Sequence, residues 1–457
     1  MTNTPMTIGE IKAVVQSGRL TAEQSVRASL QRIAAWNDRL KAFVVVDGER
    51  ALADARHLDH LSAMGVPKGP LFGVPLAIKD IIDVAGLRTG GGSLTRQDAA
   101  VAKADAEVVT RLRNAGAIIM GKVATVEYAF GGWGSNETLG APHNPWDLKQ
   151  ARVPGGSSSG SGVAVAAGLV PGALGSDTGG SIRLPSSFAG MVGLKTTAGL
   201  IPKTGVLPLS DRLDTIGPMT RCVEDAAIVF DVLTRQTPGS SVPAKGEVKD
   251  AFRNKRIGVP VDLGVALHPD TAKVYAATQE RMKAAGATLV PLRFPTSLAD
   301  YAAPCGMFLA VDSYRHYGAL AEEEPNRLGD PVRRRILSGK SVTAVDYAKN
   351  LERREREKSV IAALFETVDT ILMPATAMPA PVLGEHSEHD SPGVFTRFAN
   401  YFDLAALSLP AGLSATGLPI AVQFVVPGFA EARALDLGYR LEMAQGGAIT
   451  CPVLMQN

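Results

Sequence analysis

Two hydrophobic periods alternate along the chain, and each change of period marks an element. Residues 21–36 carry apolar side chains at helical spacing, among them Val26, Leu30 and Ile33. Thr21 stands three residues before Gln24, as Thr7 stands three before Glu10. Both pairs have the form of a capping box, in which a hydroxyl and a later side chain satisfy free backbone donors. Two helices are therefore predicted to open the chain. From about residue 73, strands and helices alternate. GVPLAIKDII reads as a buried strand, residues 105–114 as a helix closed by Gly116, and AIIMGK as a strand. RIGVP, a helix over 270–285 closed by Gly286, and ATLVPL repeat the arrangement. Further helices are predicted over 223–234, 343–365 and 430–443, with strands at VDTILMPA and LPIAVQFVV. This alternation predicts an α/β fold built on a largely buried sheet.

The polar stretch 236–249, with its prolines and glycines, reads as an exposed connection. Apolar segments continue on both sides, so one domain over 1–457 is expected. A hydrophobic content of 46% with 20% charge suits a large buried core. A net charge of +2 argues against broad nucleic-acid binding, which usually needs a basic face. Cys222, Cys305 and Cys451 are too few and too scattered for a disulfide framework, which suits a reducing cytoplasm. The most apolar run, 163–174, is broken by Gly168, Pro171 and Gly172. It falls short of the roughly 20 residues a spanning helix needs, so no membrane segment is expected. The N-terminus lacks the pattern of a secretory signal.

Three features are chemically unusual. The first is PGGSSSGSG, 154–162. It reads as a flexible linker, as an anion-binding nest at a helix N-terminus, or as a nucleophile turn. Gly156, Ser158 and Gly160 satisfy G-x-S-x-G, which would require a late histidine such as His386 or His389. The second is GSDTGGSIRLP, 175–185, whose glycines let backbone N–H groups converge on one point beside a serine. The third is Lys79, set in the apolar run of a predicted buried strand. Burial disfavours the ammonium and makes a neutral lysine base available, whereas pairing with Asp80 or Asp83 would make it structural. The pairs His57/His60 and His386/His389 lack a third ligand and read as solvated, and no metal is expected.

Together these features resemble the amidase signature family. The block from Gly155 to Ser186 has the family's order: a Gly/Ser cluster, an apolar stretch, then Asp-x-Gly-x-Ser-aliphatic-Arg-x-Pro. GVPLAIKD resembles its lysine strand, and GKVATVEYAFG, GAPHNPWD, NYFDLAALSLPAG and GLPIAVQFV resemble further segments. Ser159 stands where many members have glycine. The resemblance implies a large mixed central sheet covered by helices on both faces. It divides the domain into an N-terminal helical segment (1–65), a catalytic core (66–235), a variable, pocket-shaping region (250–365) and a C-terminal part (366–457).

The resemblance also implies roles. Lys79 would be the base, Ser157 a bridging serine in a cis peptide with Gly156, and Ser181 the nucleophile. The oxyanion hole would be the backbone of Thr178, Gly179, Gly180 and Ser181, with Asp177, Arg183 and Ser158 in support. The implied activity is hydrolysis of a small-molecule amide without metal or organic cofactor, often in a homodimer. Two alternatives stay open: a glutaminase component of an amidotransferase that acts in a tRNA-binding complex, and an esterase using Ser158. Trp133, Tyr128 and Phe308 are candidates for an apolar pocket, with core packing as the competing reading for Tyr128 and Phe308.

Overall fold

The structure, a computed structural model, describes residues 5–237, 239–241 and 250–455. Most of the expected connection at 236–249, namely residue 238 and residues 242–249, lies outside the described residues.

Eleven strands form one mixed sheet. They are β1 (Phe43–Val46), β2 (Pro75–Lys79), β3 (Ile118–Val123), β4 (Gly172–Asp177), β5 (Val192–Lys195), β6 (Thr215–Thr220), β7 (Arg256–Pro260), β8 (Thr288–Leu292), β9 (Thr370–Pro374), β10 (Ala405–Leu413) and β11 (Pro419–Val426). Their order is β1-β3-β2-β4-β6-β5-β10-β11-β9-β7-β8. β2 runs parallel to β3 and β4, and β7 runs parallel to β8 and β9, while the pairs between them are antiparallel. Every residue of β2, β4, β5, β9 and β11 is buried. Successive side chains point to opposite faces of a strand, so complete burial means that both faces are covered. The helix Ser159–Ala166 packs on the β2, β3, β4 and β6 part of the sheet, and Glu431–Ala444 on β10 and β11.

Both opening helices, Ile8–Gln16 and Ala22–Leu40, carry their capping boxes in full. The segment expected to be helical also contributes the edge strand β1 and the helix Gly48–Ala63. β2 is shorter than the apolar run GVPLAIKDII. The N–H groups of Ile81 and Ile82 turn back to Lys79 O at 2.8 and 3.0 Å, so Lys79 closes the strand. Register pairs Leu76, Ala77 and Ile78 with Gly172, Ala173 and Leu174. The carboxyl ends of β2 and β4 therefore lie side by side, where open α/β sheets commonly bind ligands.

Candidate active site

Lys79 and the start of the Gly/Asp/Ser loop meet at these strand ends. Lys79 is fully buried. Its Nζ lies 2.7 Å from Ser157 Oγ and 2.8 Å from Ser176 Oγ and donates to both. Neither neighbouring carboxylate claims it. Asp80 pairs with Lys122, and Asp83 accepts from Thr89 Oγ1 at 2.6 Å. Burial lowers the Lys79 pKa to about 7, against the opposing pull of Asp214 and Asp177.

Ser157 sits at the entry to the helix Ser159–Ala166. That helix is apolar and entirely buried, which removes the flexible-linker reading of the Gly/Ser cluster. Gly160 permits the burial, because a Cβ there would stand 2.2 Å from Ala124 N. The Gly156–Ser157 peptide is cis. Val126 N–H and Thr125 Oγ1 both donate to Ser157 O at 3.1 Å. Gly156 N–H donates to Gly132 O at 2.7 Å, and Gly155 N–H to Trp133 O at 3.0 Å.

Ser181 is tied to this cluster by backbone, since Ser158 N–H donates to Ser181 O at 3.2 Å. Its hydroxyl makes no hydrogen bond among the described residues, including none to Ser157, and it opens into a cavity of about 450 Å³. The loop around it is fixed by a buried ion pair. Arg183 Nε and Nη2 each lie 3.0 Å from an oxygen of Asp177. Arg183 also donates to Gln423 Oε1 at 2.9 Å and Asn400 Oδ1 at 2.6 Å. Burial alone would raise the Asp177 carboxyl, but the Arg183 charge and hydrogen bonds outweigh it and hold it at about 2.

One expected oxyanion donor is otherwise engaged. Gly180 N–H donates to Asp177 Oδ1 at 2.9 Å, so it braces the loop. The N–H groups of Thr178, Gly179 and Ser181 have no acceptor among the described residues. Gly180 has φ +129°, and a Cβ there would come 2.2 Å from Thr396 Oγ1, so the tight loop requires glycine.

The aromatic candidates do not line the Ser181 cavity. Tyr128 is core, its ring 4.3 Å from that of Tyr317 and its hydroxyl 2.7 Å from Thr95 Oγ1. Phe308 is core, stacked on Tyr401. Trp133 lines a separate cavity beside Phe188 and donates Nε1 to Ser387 O and Asp390 O at 3.1 and 3.0 Å. Gly131, Gly132, Leu209, Gly306, Leu309, Arg335 and Arg397 line the Ser181 cavity instead. A larger groove, about 1080 Å³ between the first two helices and the C-terminal residues, contains none of these site residues. Ser158 is fully buried, and its Oγ accepts from Ser176 N–H at 3.2 Å, which leaves it no path to a substrate. His386 instead bonds Glu388 Oε1 at 2.9 Å.

The Amidase family profile matches residues 24–435. The chain is 35% identical to 2-amino-5-chloromuconic acid deaminase of Comamonas testosteroni, over 97% of both chains. It is also 35% identical to the A-type component of glutamyl-tRNA(Gln) amidotransferase from Prochlorococcus marinus, over 96% of this chain and 97% of that one. A crystal structure of an amidase superposes with a TM-score of 0.87 at 31% identity, over 96% of this chain and 99% of the other. With the fold and the match along nearly all of its length, the chain belongs to the amidase family of carbon–nitrogen hydrolases.

Proposed function

We propose that the chain hydrolyses a small-molecule amide through an acyl-enzyme on Ser181, with Lys79 as base and Ser157 as proton bridge. The observation that carries this reading is a buried amine, with a pKa near 7 and no carboxylate partner among the described residues, 2.7 Å from Ser157 Oγ. A serine hydroxyl is a weak nucleophile until a base within reach takes its proton. Neutral Lys79 accepts the Ser157 proton, and Ser157 accepts that of Ser181. Rotation of the free Ser181 hydroxyl closes this second link when substrate is bound. Ser181 Oγ attacks the carbonyl carbon, and the oxyanion is met by the unpaired N–H groups of Thr178, Gly179 and Ser181. Each such donor contributes about 3 kcal/mol. The proton returns through Ser157 to the leaving nitrogen, the C–N bond breaks, and water cleaves the ester by the same relay.

The test is Ser181→Ala in the purified chain, assayed against amides, anilides, esters and ureas. Turnover should fall by at least about 10³-fold, with thermal unfolding unchanged. Retained turnover would remove Ser181 from the chemistry.

The 35% identity to an amidotransferase component supports a second reading, in which ammonia released from glutamine passes to a partner protein. That reading requires activity only with the partner, ATP and tRNA; hydrolysis of simple amides by the isolated chain decides against it. Within the first reading, the chain is a cytoplasmic homodimer. Among the described residues no helix is long and apolar enough to cross a membrane, and light scattering would test the dimer.

A further inference from the structure

Two guanidinium groups line the Ser181 cavity, and their charges are met differently. Arg335 Nη2 lies 2.6 Å from Glu388 Oε2, and Arg335 also donates to Phe130 O at 2.9 Å and Glu388 O at 2.8 Å. Burial raises the Glu388 carboxyl, but hydrogen bonds from His386, Ser135 and Arg335 bring it down to about 2, so this pair is neutral overall. Arg397 donates Nη1 to Ala302 O at 3.1 Å. Among the described residues it forms no ion pair with any carboxylate. The other titratable groups on the wall, His389 and Asp390, are exposed at the rim.

A guanidinium stays charged under all ordinary conditions. Arg397 is half-buried, and withdrawing a guanidinium even partly from water without a counter-charge is costly, so such charges are normally paired. Here the charge faces the cavity that also contains the Ser181 hydroxyl. We propose that Arg397 receives a carboxylate of the substrate, so that the amide cleaved is one that carries a second, acidic end. This inference rests on the reading of Ser181 as nucleophile.

The placement of Arg397 sets the distance between the two ends. A Cβ on Gly179 would lie 3.6 Å from Arg397 Cγ and 3.7 Å from Nε, so the side chain runs along the loop that leads to Ser181. Thr396 Oγ1 donates to Gly179 O at 2.7 Å and holds that contact. Gly179 and Ser181 are two residues apart, at most about 7 Å of chain. The two groups are therefore neighbours on one short loop, and a short bifunctional amide, with a spacer on the order of two to four carbons, is the size class to test. Small residues keep the approach open, since a Cβ on Gly306 would stand 3.3 Å from Arg397 Nη1.

The test compares two series with the purified chain: the terminal monoamides succinamate, glutaramate and adipamate, and the neutral amides butyramide, valeramide and hexanamide. A charge-assisted bidentate contact predicts a kcat/KM preference of about 10- to 100-fold for the acidic series. Arg397→Gln should collapse that ratio to near unity, while Arg397→Lys, which keeps the charge, retains part of it. Because the readout is a ratio within one protein, partial loss of folded enzyme does not move it. Equal hydrolysis of both series by the wild type would overturn the inference and leave the amidase reading standing. So would a preference that survives in Arg397→Gln. Failure to hydrolyse any amide would remove both.

Discussion

Asp80 gives its carboxylate to Lys122 rather than to its neighbour in sequence. Lys122 Nζ lies 2.9 Å from Asp80 Oδ1, with both side chains buried. The pairing leaves the adjacent Lys79 free for the role of base proposed above. An ion pair with Asp80 would favour the ammonium and keep Lys79 protonated at neutral pH. Instead burial dominates and sets its pKa to about 7.

The first expected outcome is a pH profile. With the neutral amine as the active form, as proposed, kcat/KM should rise through a limb with its midpoint near pH 7 and level off above it. Lys79→Met should lose at least about 10³-fold in rate. A rate independent of pH between 5 and 9 would contradict the assignment.

The same group should leave a mark on stability. Below about pH 7 the native state holds a charged amine in a dry interior, and this cost is present in full. Between about 7 and 10.5 the native state releases the proton while the unfolded chain keeps it, so stability rises with pH. Lys79→Met removes the cost. Its melting temperature should exceed that of the wild type at pH 6, and the gap should shrink as pH approaches 10. Calorimetry at three pH values checks the sign.

Ser176 was not singled out in the sequence, yet its Oγ stands 2.8 Å from Lys79 Nζ. It accepts from the ammonium and so favours the charged form. Ser176→Ala should therefore lower the Lys79 pKa further and move the alkaline limb to lower pH. A merely structural role for Ser176 would leave the midpoint in place while the rate fell.

Arg183→Met tests the brace. It would strand the Asp177 carboxylate, fully buried, without its counter-charge, at a cost of about 3–5 kcal/mol. The Asp177 pKa of about 2 means that the native brace stabilises the fold at neutral pH. That contribution fades as pH falls from about 4 toward 2. Urea unfolding at pH 7 should show the full loss in the variant, and the difference from wild type should narrow in acid.

Much of the site was legible because its chemistry is local. Lys79 is conspicuous in an apolar strand, and Asp177, Ser181 and Arg183 lie within a single turn of chain. The strands Arg256–Pro260 and Pro419–Val426 followed from apolar runs with clear boundaries. β1 was not legible: four apolar residues in a row, exposed at three positions on a sheet edge, show no alternation. The cavity wall was not legible either. Arg335 and Arg397 sit in charged and mixed segments, and only tertiary packing turns them toward Ser181. Trp133 stands beside the Ser181 cavity, on the wall of the next one. Its loop does support the site, through the carbonyls of Gly132 and Trp133, while the ring itself turns to the loop at 387–390.

The reach of Arg183 has a consequence for synthesis of the chain. Its guanidinium binds Asn400 and Gln423, more than two hundred residues downstream. The arginine of the Ser181 loop thus lacks two of its four guanidinium hydrogen bonds until the last strand has left the ribosome and joined the sheet. A nascent chain would emerge with residue 181 already made but its loop not yet fully anchored, and hydrolytic power would arrive only with the finished protein.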